Sequence, residues 1–153
     1  MNDDSLGGWR SILTFENFGS VARSVLIDRF TRHGLVQARA PPHGDCIAFA
    51  GTAGIVEVGY ERDLLANFRP AVVVRPRETD APSPYAVPLW FVIPDSRPER
   101  SYPSWDFADE DALRKVLDRL FSEVIEPHAL PLADDRTNLA AEMQRFLHSM
   151  KEP

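Results

Sequence analysis

Cysteine is almost missing: Cys46 is the single one in 153 residues. No disulfide can form within the chain, so its fold owes nothing to an oxidising compartment. Lysine is scarce too, two against fifteen arginines. That reads as coding bias more than mechanism, although arginine is the better residue for bidentate contacts with carboxylate or phosphate. Long apolar runs are absent, none approaching the ~20 residues that span a bilayer. The first twenty residues carry Asp3, Asp4 and Glu16 and lack an apolar core between a basic start and a cleavage site, so no signal peptide is expected and the default compartment is the cytoplasm.

Motifs are equally sparse. Gly51-Thr52-Ala53-Gly54 joins two expected strands, whereas a phosphate cradle needs a strand followed by a helix and a longer glycine pattern. No serine sits in a nucleophile-elbow sequence. His33, His43, His128 and His148 are not spaced i, i+4 on one helix, and no second cysteine completes a zinc set, so neither a metal nor a cofactor is expected. His43-Gly44-Asp45-Cys46 is the one place where a base, a carboxylate and a nucleophile lie close. Catalytic Cys–His pairs are usually assembled across a fold, and a free cysteine opening a strand is usually a small buried hydrophobe.

What is present is a foldable pattern. Hydrophobic residues make up 44% and charged residues 26%, ordinary for a soluble protein, and the length suits one domain over residues 1–153 with about the first six mobile. In Ile55-Val56-Glu57-Val58-Gly59-Tyr60-Glu61, Val56, Val58 and Tyr60 share one face of a strand and the carboxylates of Glu57 and Glu61 the other, where they read as solvated. Cys46–Ala50 precedes it across a glycine-bounded turn. Ala71–Val74 and Leu89–Ile93 are continuous apolar runs that read as further strands. Segment 61–70 fits either a wide hairpin loop or one helical turn, and Pro70 marks a strand start or an edge position. Segments 75–88 and 94–106 read as proline-restricted surface loops.

Helical patterns flank this block. Val21, Val25, Leu26 and Phe30 form a stripe over 18–33, and Gly34 provides a C-terminal stop, followed by a short strand at 35–38. Leu113, Val116, Leu117, Leu120, Phe121, Val124 and Ile125 fit the helical template without a miss, with Asp109, Glu110 and Asp111 in the first turn and Pro127 as the end. Asp134-Asp135 then open a last helix striped by Leu139, Met143, Phe146, Leu147 and Met150. Segregated strands and helices imply an α+β fold: an antiparallel sheet of about four to five strands with an N-terminal helix and two C-terminal helices packed on one face.

Two segments, the Phe30–Leu35 helix end and Val56-Glu57-Val58-Gly59-Tyr60-Glu61-Arg62-Asp63, resemble those of small bacterial α+β proteins, some of which are similar to immunity proteins. The resemblance covers residues 18 to 75. It implies a protein that binds and neutralises a cognate toxin, and it carries over no functional residue.

Charge supports a binding role. Residues 104–153 hold eleven acidic and six basic side chains against twelve and eleven in residues 1–103. An acidic C-terminal third argues against nucleic-acid binding and suits a basic partner, or else serves solubility. The loop 97–105 carries Arg97, Arg100, Tyr102 and Trp105, residue types enriched at interface hot spots, though Tyr102 and Trp105 would equally cap one end of the core. Asp106, Asp109 and Glu110 adjoin it as an acidic rim. The expectation is a non-enzymatic, immunity- or inhibitor-like domain that captures a basic protein partner such as a cognate toxin, binds neither nucleic acid nor membrane, and is a monomer or homodimer. Alternatives are a homodimeric structural or complex subunit, paired through an edge strand or the last helix, and a small enzyme using His43 and Cys46.

Overall fold

Helix α1 (Phe18–Arg32) buries Phe18, Val21, Ala22, Leu26 and Phe30 along one stripe, and ends where Gly34 takes a φ of +85°. That left-handed turn is open to glycine at no steric cost, and it lets the amides of Gly34 and Leu35 reach back to the carbonyls of Thr31 and Phe30. The computed structural model describes residues 17–39, 45–62, 68–77, 86–94 and 105–151. The lead-in expected to be mobile, residues 1–6, lies outside them.

Five strands follow in an antiparallel meander whose spatial order is the sequence order: β1 (Val36–Ala38), β2 (Ile47–Ala50), β3 (Gly54–Arg62), β4 (Phe68–Pro76) and β5 (Val87–Pro88). The β2–β3 turn is the expected glycine-bounded one, closed by the Gly51 amide donating to the Gly54 carbonyl at 2.8 Å. β3 and β4 pair from Gly54↔Pro76 to Arg62↔Phe68, so the connection between them is a hairpin whose tip, 63–67, lies outside the described residues. Pro70 is inside β4, opposite Tyr60. The Phe68 carbonyl points outward and accepts from the Phe107 amide, and alternation turns the N–H-less nitrogens of Pro70 and Pro76 to that same outer side. β5 pairs there only at Val73 and Val74. A proline on that side therefore removes no ladder bond to β3.

Leu89–Ile93 corrects the expectation of a strand. Leu89–Val92 is one turn of helix, α2, and the strand is only Val87–Pro88. A five-residue apolar run has no period of its own. Here Leu89 and Ile93, four apart, both face the core, and the Ile93 amide bonds the Leu89 carbonyl.

The C-terminal helices are α3 (Glu110–Leu120), a π-helix (Phe121–Ala129), α4 (Leu130–Asp134) and α5 (Arg136–Lys151). Pro127 does not end the helical path, a second correction. The wider i→i+5 turn leaves room for a residue with no N–H, and burial passes from Val124 and Ile125 to Ala129 and Leu130, a spacing of five rather than four. α5 begins with the Asp135 carboxylate accepting from the Asn138 amide. Leu139 and Met143 are buried on it, Phe146 and Leu147 are half-buried, and Met150 is 51% exposed.

The α+β architecture is the expected one, with helices on one sheet face. Ile47, Phe49, Val56, Val58, Val72 and Val74 join the helices in the main core, while Ala48, Ala50 and Ile55 form a separate small cluster on the opposite face. Phe30 knots three elements, its ring lying 4.4 Å from Phe49 in a stacked pair and 5.3 Å from Phe121 edge-on. No helix among the described residues is long and apolar enough to cross a membrane.

Candidate functional site

The acidic segment is built by alternation. Trp105 and Phe107 point inward and are 3% exposed, while Asp106 between them points out. The Phe107 amide bonds the Phe68 carbonyl at 2.8 Å and its ring stacks on that of Phe68 at 5.9 Å, which pins the entry to α3 against the outer side of β4. Trp105 lies 6.3 Å from Trp90, with the Arg119 guanidinium 4.7 Å over its ring. Of the two roles open to Trp105, it plays that of core cover in this structure. Arg97, Arg100 and Tyr102 lie outside the described residues.

The three candidate carboxylates are near the surface and each has a partner. Asp106 pairs with Arg69 at 3.1 Å. Asp109 is the N-cap of α3, accepting from the Ala112 amide at 2.8 Å, as short carboxylates do at helix starts. Glu110 pairs with Arg114 one turn on, at 3.3 Å. Asp111 beside it is exposed with no hydrogen bond or ion pair among the described residues. Exposed pairs of this kind are each worth under about 1 kcal/mol, so an incoming cation displaces Arg114 at little cost.

Cys46 is half-buried, one residue before β2. Burial pushes its thiol pKa up, and Glu57 and Asp45 push it further, against a smaller opposing effect of Arg75. His43 lies outside the described residues. A thiol held neutral is a poor nucleophile, so alkylation of the folded protein by iodoacetamide at pH 7.5 is expected to run well below the rate of a free cysteine peptide. Its pH midpoint should lie above the ordinary thiol range. Labelling at the peptide's rate would return Cys46 to the list of reactive groups. Glu57 itself is a correction to the reading of solvated strand-face carboxylates: its side chain is only 13% exposed and pairs with Arg75. The two are diagonal neighbours across the β3–β4 ladder, since Glu57 faces Val73 and Ile55 faces Arg75.

One concavity escapes the sequence altogether. The end of α1 and the start of the π-helix enclose a solvent-open cavity of about 310 Å³ lined by Arg29, Arg32, His33, Phe121, Ser122 and Glu126. Arg29 pairs with Asp118 and donates to its backbone carbonyl at 3.3 Å, and its guanidinium lies 5.7 Å from the Phe121 ring centroid. His33 Nε2 is 3.1 Å from Glu126 Oε2. Arg29, Arg32 and His33 carry a sequence signal only as cations at a helix end, where they suit the dipole without any function. No group of three or more His, Cys, Asp or Glu among the described residues could hold a metal ion.

No protein-family model, no curated protein and no solved structure matches the chain.

Proposed function

We propose that the protein is a non-enzymatic binding domain, immunity- or inhibitor-like, which captures a basic protein partner through the carboxylates around the start of α3. The observation behind this reading is the exposed run Asp109-Glu110-Asp111, set beside Asp106 in a C-terminal third of eleven acids and six bases. Their weak internal pairs make them exchangeable, so a partner's arginines and lysines gain steering and register there. The Trp105 side chain contributes by holding that segment in place rather than by contact.

The test is capture from a lysate of the source organism at low and at moderate salt, followed by titration of the partner so identified. Glu110→Lys with Asp111→Lys leaves the cap Asp109 intact and reverses two exposed charges. The double variant is expected to keep its circular-dichroism spectrum, lose at least tenfold in affinity, and show a flatter salt dependence. Equal affinity of variant and parent would sink this site.

Self-association is the second reading. Val36 on the terminal strand β1 is 62% exposed and Met150 on α5 51% exposed, and no other large hydrophobic described is exposed to that degree. An empty capture together with a dimeric light-scattering mass would favour it.

A further inference from the structure

The cavity between α1 and the π-helix is the feature that the binding reading leaves unused. Two independent observations meet there. The first is a donor set with one member to spare. Arg29 is held by Asp118, Ser122 lies 3.5 Å from an Arg29 nitrogen, and His33 is held by Glu126. Arg32 lines the same space with no hydrogen bond or ion pair among the described residues. The held groups are fixed in direction by those partners, and Arg32 brings a free planar fork of donors to them.

The second observation is the helix type. Phe121, Ser122 and Glu126, half of the lining, come from the π-helix. Residues five apart on an α-helix point about 140° away from each other, so an α-helix would put Glu126 on the side of Ser122, four residues before it, but not on that of Phe121. The i→i+5 turn brings them to one side. π-helical turns are uncommon and concentrate at functional sites.

We infer that this cavity is a seat for a phosphate-like oxyanion carried by a small molecule. Arg32 supplies the free fork and the remaining N–H groups of Arg29 add donors, while Ser122, whose hydroxyl donates to the Asp118 carbonyl at 3.4 Å, and His33, whose Nε2 faces Glu126, border the seat. A phosphate offers three acceptor oxygens to such a set where a carboxylate offers two, and guanidinium groups match either bidentately. Glu126 lines the same cavity and holds the His33 ring through Nε2 at 3.1 Å; being acidic, it limits the seat to a single oxyanion. The volume, at the small end of ligand pockets, admits a phosphomonoester rather than a dinucleotide.

The ¹⁵N-labelled full chain is titrated with inorganic phosphate, with glycerol 3-phosphate and with acetate, each at ionic strength matched by potassium chloride. The expected result is a saturable shift of the Arg32, His33 and Ser122 amides with both phosphates, and a weaker one with acetate. Tighter binding of glycerol 3-phosphate than of the free ion would identify a phosphomonoester as the natural occupant, and the reverse order free phosphate. Arg32→Gln, which removes no contact within the described fold, should lower the phosphate affinity about tenfold, the effect of one charge-assisted hydrogen bond. Arg136→Gln, at the exposed start of α5, should leave it unchanged. Shifts that do not saturate, or that persist equally in Arg32→Gln, overturn the inference.

Discussion

Replacing Phe30 by alanine is expected to remove about 4 kcal/mol of stability, the upper range for a buried ring, and to lower the melting temperature by about 8–16 °C. Three elements lose a shared partner at once. Phe30 is fully buried, stacks on Phe49 of β2 and meets Phe121 of the π-helix edge-on. The cavity it leaves is bounded by a helix, a sheet and a π-turn, none of which can move in without dragging its own neighbours. Phe30→Leu keeps most of the volume but neither ring contact, so a loss of about 1.5 kcal/mol is expected from it. Urea unfolding followed by circular dichroism checks both, and an alanine variant losing under about 2 kcal/mol would show that the site collapses freely.

Gly51→Val should cost about 3 kcal/mol, the upper range for overpacking. A Cβ on Gly51 would stand 2.6 Å from the Ala133 carbonyl oxygen and 2.8 Å from Asp134 Oδ1. The first obstacle is backbone and cannot rotate away. It is also engaged, because the same carbonyl accepts the Ala53 amide at 2.8 Å while Thr52 Oγ1 donates to the Asp134 carbonyl. The turn between β2 and β3 and the end of α4 thus dock main chain to main chain. Pushing them apart breaks the hydrogen bonds as well as the packing. Gly51→Ala meets the same carbonyl and should lose at least half as much. A valine variant with an unchanged urea midpoint would contradict the docking.

These contacts also explain which parts of the fold were legible beforehand. The stripe from Leu113 to Ile125 is readable because seven apolar residues obey one period with polar residues between them. Its sequel is not, since proline is a sound stop signal for an α-helix and carries no information about a π-helix. Leu89–Ile93 misleads for the opposite reason: every position is apolar, so the run fits any period, and only the two-residue match of β5 to β4 decides it. The Glu57–Arg75 pair needs the strand register before the two residues become neighbours. The α1 cavity needs tertiary structure, because Arg29, Arg32 and His33 meet Phe121, Ser122 and Glu126 only when the first helix packs on the last third of the chain. For the acidic segment, residue types pointed to Asp106, Asp109 and Glu110, but the inward turn of Trp105 rests on the in–out alternation with Phe107.

The meander order of the sheet has a consequence for how the chain emerges from the ribosome. Every strand pairs with its neighbour in sequence, so β1 to β4 can zip together as soon as Pro76 is free, without waiting for the C-terminal half. α1, made earlier, covers only part of the apolar face. The rest of Val56, Val58, Val72 and Val74 has no lid until the π-helix, α4 and α5 are synthesised, several seconds later at ~5–20 residues per second. During that interval the nascent sheet presents a valine-rich surface to solvent, and the chain's greatest exposure of apolar surface falls there rather than after release.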